Sequence, residues 1–245
     1  RSPSVQAPEM KSLAKRAFLD AVGLPRFDSV SPDGSERATF EAAADRAMAA
    51  GGGLVGDLPP NKMRFVMWLA ENRPVVFHGS SNPSLDELLA IRMSRDASAF
   101  GDQQAVYATP DPIWAAWFGL VKRDASFRGM RNGSMGVPGP NIYPRWYYLA
   151  VHRTDGVARF DPGTLYVLPR EGFTLERPHQ GLGGGGQMIS HASVRPLARV
   201  ALDPSDVPLL ELTHVIEEGE KELTTIRRFA AAHRRSRRGR ARIRA

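Results

Sequence analysis

Along the first seventy positions, apolar residues recur at helical spacing and each run ends in a stop signal. Between Met10 and Val22 the apolar positions are Leu13, Ala17, Phe18 and Ala21, and Gly23 with Pro25 closes the run, which predicts a short amphipathic helix. A second helix is predicted from Ser35, where Ser-Glu-Arg-Ala precedes Phe40, Ala43, Ala44 and Ala47, and it ends in the glycines 51 to 53. A third follows Pro59 and Pro60, with Phe65, Val66, Trp68 and Leu69 as its apolar face. Residues 1–73 are therefore expected to form a helical N-terminal region.

After Pro74 the pattern changes to short clusters rich in β-branched and aromatic residues. These are Val75–Phe77, Ala105–Tyr107, Tyr147–Val151, Thr164–Leu168, Gln187–Ser190 and Arg199–Leu202, and each predicts a strand. Helices are expected at Leu85–Arg92 and Pro112–Lys122, the second with proline in the first turn, where its missing N–H costs little. Few helices separate many strands, so the sheet should be antiparallel or mixed, not doubly wound. Arg128–Pro140 and Pro178–Gly186 are expected to be loops, the latter ending in four glycines. Residues 74–215 form the predicted main domain, and 216–245 a helix passing into a basic tail.

Composition narrows the chemistry. The chain has 245 residues, enough for one substantial core, and no cysteine, which excludes disulfides, thiolate zinc sites and cysteine nucleophiles. No apolar run reaches the roughly 20 residues of a membrane span, no secretory signal pattern opens the chain, and a soluble, cytoplasmic protein is the expectation. The net charge of +7 is unevenly placed: nine arginines and no acid lie between Arg227 and Ala245, so the rest carries −2. Such a run suits phosphate backbones, and Arg234, Arg235, Arg237, Arg238 and Arg240 are the candidate nucleic-acid contacts. No aromatic residues are interleaved with them, so base stacking is not expected. His152, His179, His191, His214 and His233 show no metal-ligand spacing.

Two motifs deliver polar groups at strand ends. Val75-Val-Phe-His-Gly-Ser80 places His78 at the end of an apolar strand, followed by Gly79 and Ser80. Ala105-Val-Tyr-Ala-Thr-Pro-Asp-Pro-Ile-Trp-Ala-Ala-Trp-Phe118 places Tyr107 at a second strand end, just before a helix in which Trp114, Trp117 and Phe118 are expected to be core. In order, spacing and neighbouring residue types, the pair resembles the ADP-ribosyltransferase superfamily of His-Tyr-Glu type, the diphtheria-toxin and poly-ADP-ribose-polymerase group. The resemblance covers roughly residues 74–202.

The resemblance implies an α+β fold with a split mixed or antiparallel sheet, NAD as substrate, and cleavage of its nicotinamide–ribose bond. His78 would hydrogen-bond a ribose hydroxyl, the backbone of Gly79 would grip the nicotinamide carboxamide, Ser80 could add a hydroxyl contact, and Tyr107 would stack on the nicotinamide ring. ADP-ribose would pass to a protein or nucleic-acid acceptor, in a toxin-like protein of bacterial character given the Ala, Arg and Gly bias. The third element departs from the family pattern. Where the family has glutamate, this chain has Gln187, in Gly186-Gln-Met-Ile-Ser190; Glu171 and Glu176 lie upstream but outside the strand-start context. An amide can bind a ribose hydroxyl but accepts no proton at neutral pH. Three possibilities remain open: a transferase whose acceptor is already nucleophilic or supplies its own base, a slow NAD glycohydrolase, and a catalytically weakened nucleotide- or nucleic-acid-binding module on the same fold.

Overall fold

The computed structural model describes residues 6–91, 104–137, 141–175, 186–207 and 209–243, with side chains described for 13–91 and up to Ser236. In chain order the elements are helix α1 (Gln6–Val22), strand β1 (Arg26–Phe27), helices α2 (Gly34–Ala49) and α3 (Lys62–Asn72), strands β2 (Val75–Ser80) and β3 (Val106–Ala108), and helix α4 (Pro112–Leu120). Then come β4 (Phe127–Gly136), β5 (Arg145–Arg153), β6 (Gly163–Pro169), β7 (Thr174–Leu175), β8 (Met188–Ser190), β9 (Ala198–Leu202), β10 (His214–Val215) and helix α5 (Glu222–Ile243). The chain is thus an α+β protein.

Helix starts follow local capping chemistry. The Asp33 carboxylate accepts from Glu36 N–H at 2.9 Å to open α2, and Asn61 Oδ1 accepts from Arg64 N–H at 3.0 Å to open α3. Asp111 opens α4 immediately before Pro112, accepting from Ile113 N–H at 3.1 Å. Gly51 and Gly52 take positive φ values of 56° and 88° and end α2.

The strands form three groups. β6 lies between β2 and β9, β8 lies between β3 and β7, and β5 pairs with β4 on one edge and with β1 and β10 on the other. Every pair is antiparallel except β10 with β5. Among the described residues a single bridge, Phe77 with Thr109, joins the first group to the second.

One buried cluster runs through most elements: Phe40, Phe65 and Trp68 from the helical N-terminal region and Phe229 from α5 share it with Phe77, Trp117 and Leu165. Burial of each such side chain contributes about 1.5–3 kcal/mol. A smaller cluster on the opposite face of β2 and β6 contains Val76, Val106, Ala108, Tyr166, Leu168 and Met188. The expected core role of the α4 aromatics holds for Trp117, which is fully buried, while Trp114 and Phe118 are half-buried against the same cluster.

Four sequence expectations are corrected. Residues 85–91 are not helical: Leu88 is buried and bridges to Val194, and the Tyr166 hydroxyl accepts from Leu85 N–H, so tertiary pairing overrides the apolar periodicity; Arg92 lies outside the described residues. Residues 128–136 are not a loop but most of β4. Their small residues fit that strand because a Cβ on Gly133 would overlap the Tyr148 ring, while Asn132 Oδ1 accepts from Trp114 Nε1 at 2.7 Å; residues 138–140 lie outside the described residues. On α1 the expected apolar positions are turned to solvent, with Leu13 64% and Phe18 48% exposed, while Leu19 is buried. Finally, the C-terminal segment does not dissolve at the arginines. α5 runs to Ile243, buries Phe229 and Ala230, and docks on the end of α1, where His233 Nδ1 lies 3.1 Å from Gly23 O and Arg234 donates to Val22 O at 2.7 Å.

Candidate functional site

The two strand-end motifs meet at the bridge between β2 and β3. Phe77 N–H donates to Thr109 O at 2.7 Å and Phe77 O accepts from Thr109 N–H at 2.9 Å. In an antiparallel ladder both backbone groups of one residue point to the same side, and the side alternates along the strand. The next β2 residue whose backbone points toward β3 is therefore Gly79, and the β3 residue opposite it is Tyr107. Among the described residues the pairing of the two strands is not continued to that level. His78 Nδ1 instead lies 2.7 Å from Tyr107 O, so a side chain takes the place of a ladder bond. A ring that donates there through Nδ1–H has Nε2 as its acceptor when neutral.

The register also fixes the faces. A Cβ on Gly79 would overlap the carbonyl oxygen of Ala115, so Phe77 and Gly79 face α4. Tyr107, opposite Gly79, shares that face; extending the β3–β8 register of Tyr107 with Ile189 by two positions sets Gln187 opposite Thr109 on the same face. His78 faces the other way, beside Tyr166, with ring centroids 6.4 Å apart. His78, Gly79 and Tyr107 thus meet at one junction, but the ring of His78 lies on one face of the sheet and the Tyr107 position, with the Gln187 position that the extended register gives, on the other, so the three side chains do not share one face as expected. Ser80 Oγ accepts from Asn82 N–H at 3.1 Å and shapes the turn beyond β2.

Gly79 has a packing requirement of its own. Gly79 on β2, Gly119 on α4 and Gly163 on β6 form a close crossing: a Cβ on Gly119 would sit 2.9 Å from Ser80 N, and one on Gly163 would sit 2.7 Å from Gly119 O. Helix α4 can approach the split only because all three lack side chains.

Sequence reasoning did not single out two further groups of residues. Tyr166, directly across β2 and β6 from His78, donates its hydroxyl to Asn82 O at 2.6 Å and accepts from Leu85 N–H at 2.9 Å, which ties the turn after β2 to the sheet. Burial raises its pKa, keeping the hydroxyl a donor. The second group is a buried polar network behind β8. The fully buried Asp111 accepts from Tyr147 Oη–H at 3.0 Å and from Ser134 Oγ–H, and Arg145 donates to Ser134 Oγ at 3.0 Å. Burial and then the Asp111 charge push the Tyr147 hydroxyl well above its ordinary range, so it stays protonated. Burial and the Arg145 charge lower the pKa of Lys15. The Asp111-Pro112 pair was visible as a helix start, but nothing in the sequence links it to Ser134 or Arg145.

The remaining expected residues are dispersed. Glu171 is exposed in the turn before β7; Glu176, His179 and residues 178–185 lie outside the described residues. Of the five arginines proposed for nucleic-acid contact, Arg234 is engaged with α1 and Arg235 is exposed, while the side chains of Arg237, Arg238 and Arg240 lie outside the described residues. Two open depressions, of about 500 and 600 Å³, are lined respectively by residues including Gly52, Asp86 and Arg199, and His152, Thr154 and Glu217; neither is lined by His78, Tyr107 or Gln187. Among the described residues no helix is long and apolar enough to cross a membrane. Comparison with protein-family models, with curated proteins and with solved structures finds no match to this chain.

Proposed function

We propose that this chain is an NAD-dependent ADP-ribosyltransferase-like protein that cleaves the nicotinamide–ribose bond and passes ADP-ribose to a protein or nucleic-acid acceptor. The observation that carries the reading is the interrupted ladder beside Gly79. A backbone N–H and C=O that point into a split, where the strand pairing does not continue, offer one donor and one acceptor at strand spacing. A carboxamide presents the complementary pair, so nicotinamide can replace the missing strand partner. A planar group held there has the His78 ring on one face of the sheet and Tyr107 on the other. His78 would engage a ribose hydroxyl, and Tyr107 would stack on the ring. Scission develops positive charge on the ribose, which oriented dipoles can stabilise.

Gln187 sets the limit of the chemistry. Its amide can orient a ribose hydroxyl but cannot deprotonate an acceptor, so transfer requires an acceptor that is nucleophilic or carries its own base. The same residue favours the second reading, a weakened nucleotide-binding module. One experiment separates them: nicotinamide release from NAD by wild type, Gln187→Glu and Gln187→Ala, alongside calorimetric titration with NAD. The weakened module binds NAD, and Gln187→Glu raises release by about 10²-fold. An active transferase shows release that Gln187→Glu leaves unchanged or lowers. Absence of NAD binding to the wild type at millimolar concentration overturns both.

A further inference from the structure

We propose that Arg145, held by Ser134 and Asp111, is a positioning residue that fixes the start of β8, and with it Gln187, relative to Tyr107. The inference rests on the reading of Gln187 as part of the site. Its geometric basis is the packing of Gly186, the residue before Gln187. A Cβ on Gly186 would lie 3.2 Å from Arg145 Nη1, 3.4 Å from Nη2 and 3.5 Å from Thr109 Oγ1, so the Gly186 backbone rests on the end of the guanidinium fork. Thr109 is the residue that bridges β3 to β2, and its Oγ1 accepts from Asp111 N–H at 3.1 Å. Asp111 in turn caps α4. The β2–β3 bridge, the first turn of α4, the β4–β5 ladder and the entry to β8 therefore converge on one buried set of side chains.

A charged group is a costly way to fill such a space. The Arg145 and Asp111 side chains are only 8% and 0% exposed, and their nearest charged atoms are 4.0 Å apart. Desolvation of two ions commonly offsets their attraction, and apolar residues of similar volume often stabilise a fold as well or better. What a buried guanidinium adds is a planar fork whose hydrogen bonds permit one placement of its neighbours. β8 is three residues long and follows a glycine-rich stretch, so its own pairing with β3 and β7 constrains its entry weakly. Arg145 supplies the missing constraint.

The test uses Arg145→Lys, which keeps the charge and loses the fork, Gly186→Ala, which crowds the fork from the other side, and the double variant. Ser134→Ala, which removes the hydroxyl that holds the fork, stands in for Arg145→Lys should that variant fail to fold. Amide hydrogen exchange is followed at Gln187–Ser190 and at Tyr147–Val151. Each single variant should speed exchange at 187–190 at least tenfold while changing β5 less than twofold. The double variant should be no faster than the worse single, because both act on one contact. In nicotinamide release, Arg145→Lys should lower kcat about tenfold with KM within threefold. Unchanged exchange at 187–190, a uniform rise across β5 and β8, additive singles, or a change confined to KM would each overturn the proposal. A wild type that does not bind NAD sinks the functional reading, whereas the exchange measurements decide the positioning of β8 without NAD.

Discussion

Strand β2 has two edges built from the same six residues, and they fare differently. Against β6 it makes six consecutive pairs, from Val75 with Pro169 to Ser80 with Thr164. Against β3 it makes one, at Phe77, and then the strands part, with the His78 ring reaching the Tyr107 carbonyl where a ladder bond would lie. The closed edge carries stability, because every backbone group on it is paired and its side chains enter both cores. The other edge is paired at Phe77 alone among the described residues, and the backbone of Gly79 is positioned there by the ladder on the closed edge. A site of this kind needs no loop to present it. Its rigidity comes from the ladder on the far side of the same strand.

The contrast is broken most severely by closing the space that lets α4 approach. Gly79→Ala places a Cβ on the Ala115 carbonyl, and since both partners are backbone, the helix must move. Urea denaturation should show a loss of about 3 kcal/mol. Stability equal to wild type would mean that α4 does not constrain Gly79. Tyr166→Phe keeps the closed edge apolar but frees the turn beyond it, leaving Leu85 N–H and Asn82 O without their side-chain partner. The same measurement should show about 2 kcal/mol, and exchange of the Leu85 amide should accelerate. His78→Ala removes the side-chain link to the Tyr107 carbonyl and should cost only about 1 kcal/mol, yet weaken NAD about tenfold. An affinity unchanged by that substitution would detach His78 from the site and leave the open edge a purely structural gap.

Much of this was legible in the sequence because it depends on local chemistry. The short clusters of β-branched and aromatic residues located β2, β3, β5, β6, β8 and β9, and caps and proline marked α2, α3 and α4. The motif around His78 and Tyr107 pointed to two strand ends that do adjoin. What escaped was decided by distant partners. Gly133 lies in a glycine-rich segment that reads as loop until the Tyr148 ring supplies the reason for its missing side chain. Leu88 sits in a helical pattern and is recruited into a bridge by Val194. On α1, periodicity identified a helix but chose the wrong face, because the burial of Leu19 is set by elements far along the chain. Arg145 fell outside the predicted strand and Ser134 inside a predicted loop, since what sets them apart is a carboxylate on another element.

The seam between the first and last helices bears on how the molecule assembles in time. His233 and Arg234 reach carbonyls at Gly23 and Val22, partners separated by 210 and 212 positions. Loop-closure entropy grows slowly with length, so the distance is not a heavy thermodynamic burden once the intervening core exists. Kinetically it is a late event: during synthesis α1 emerges first, and its carbonyl end cannot be capped in this way until nearly the whole described chain has followed. The arginine-rich helix thus closes a contact between two distant helices, one that forms only when both are in place.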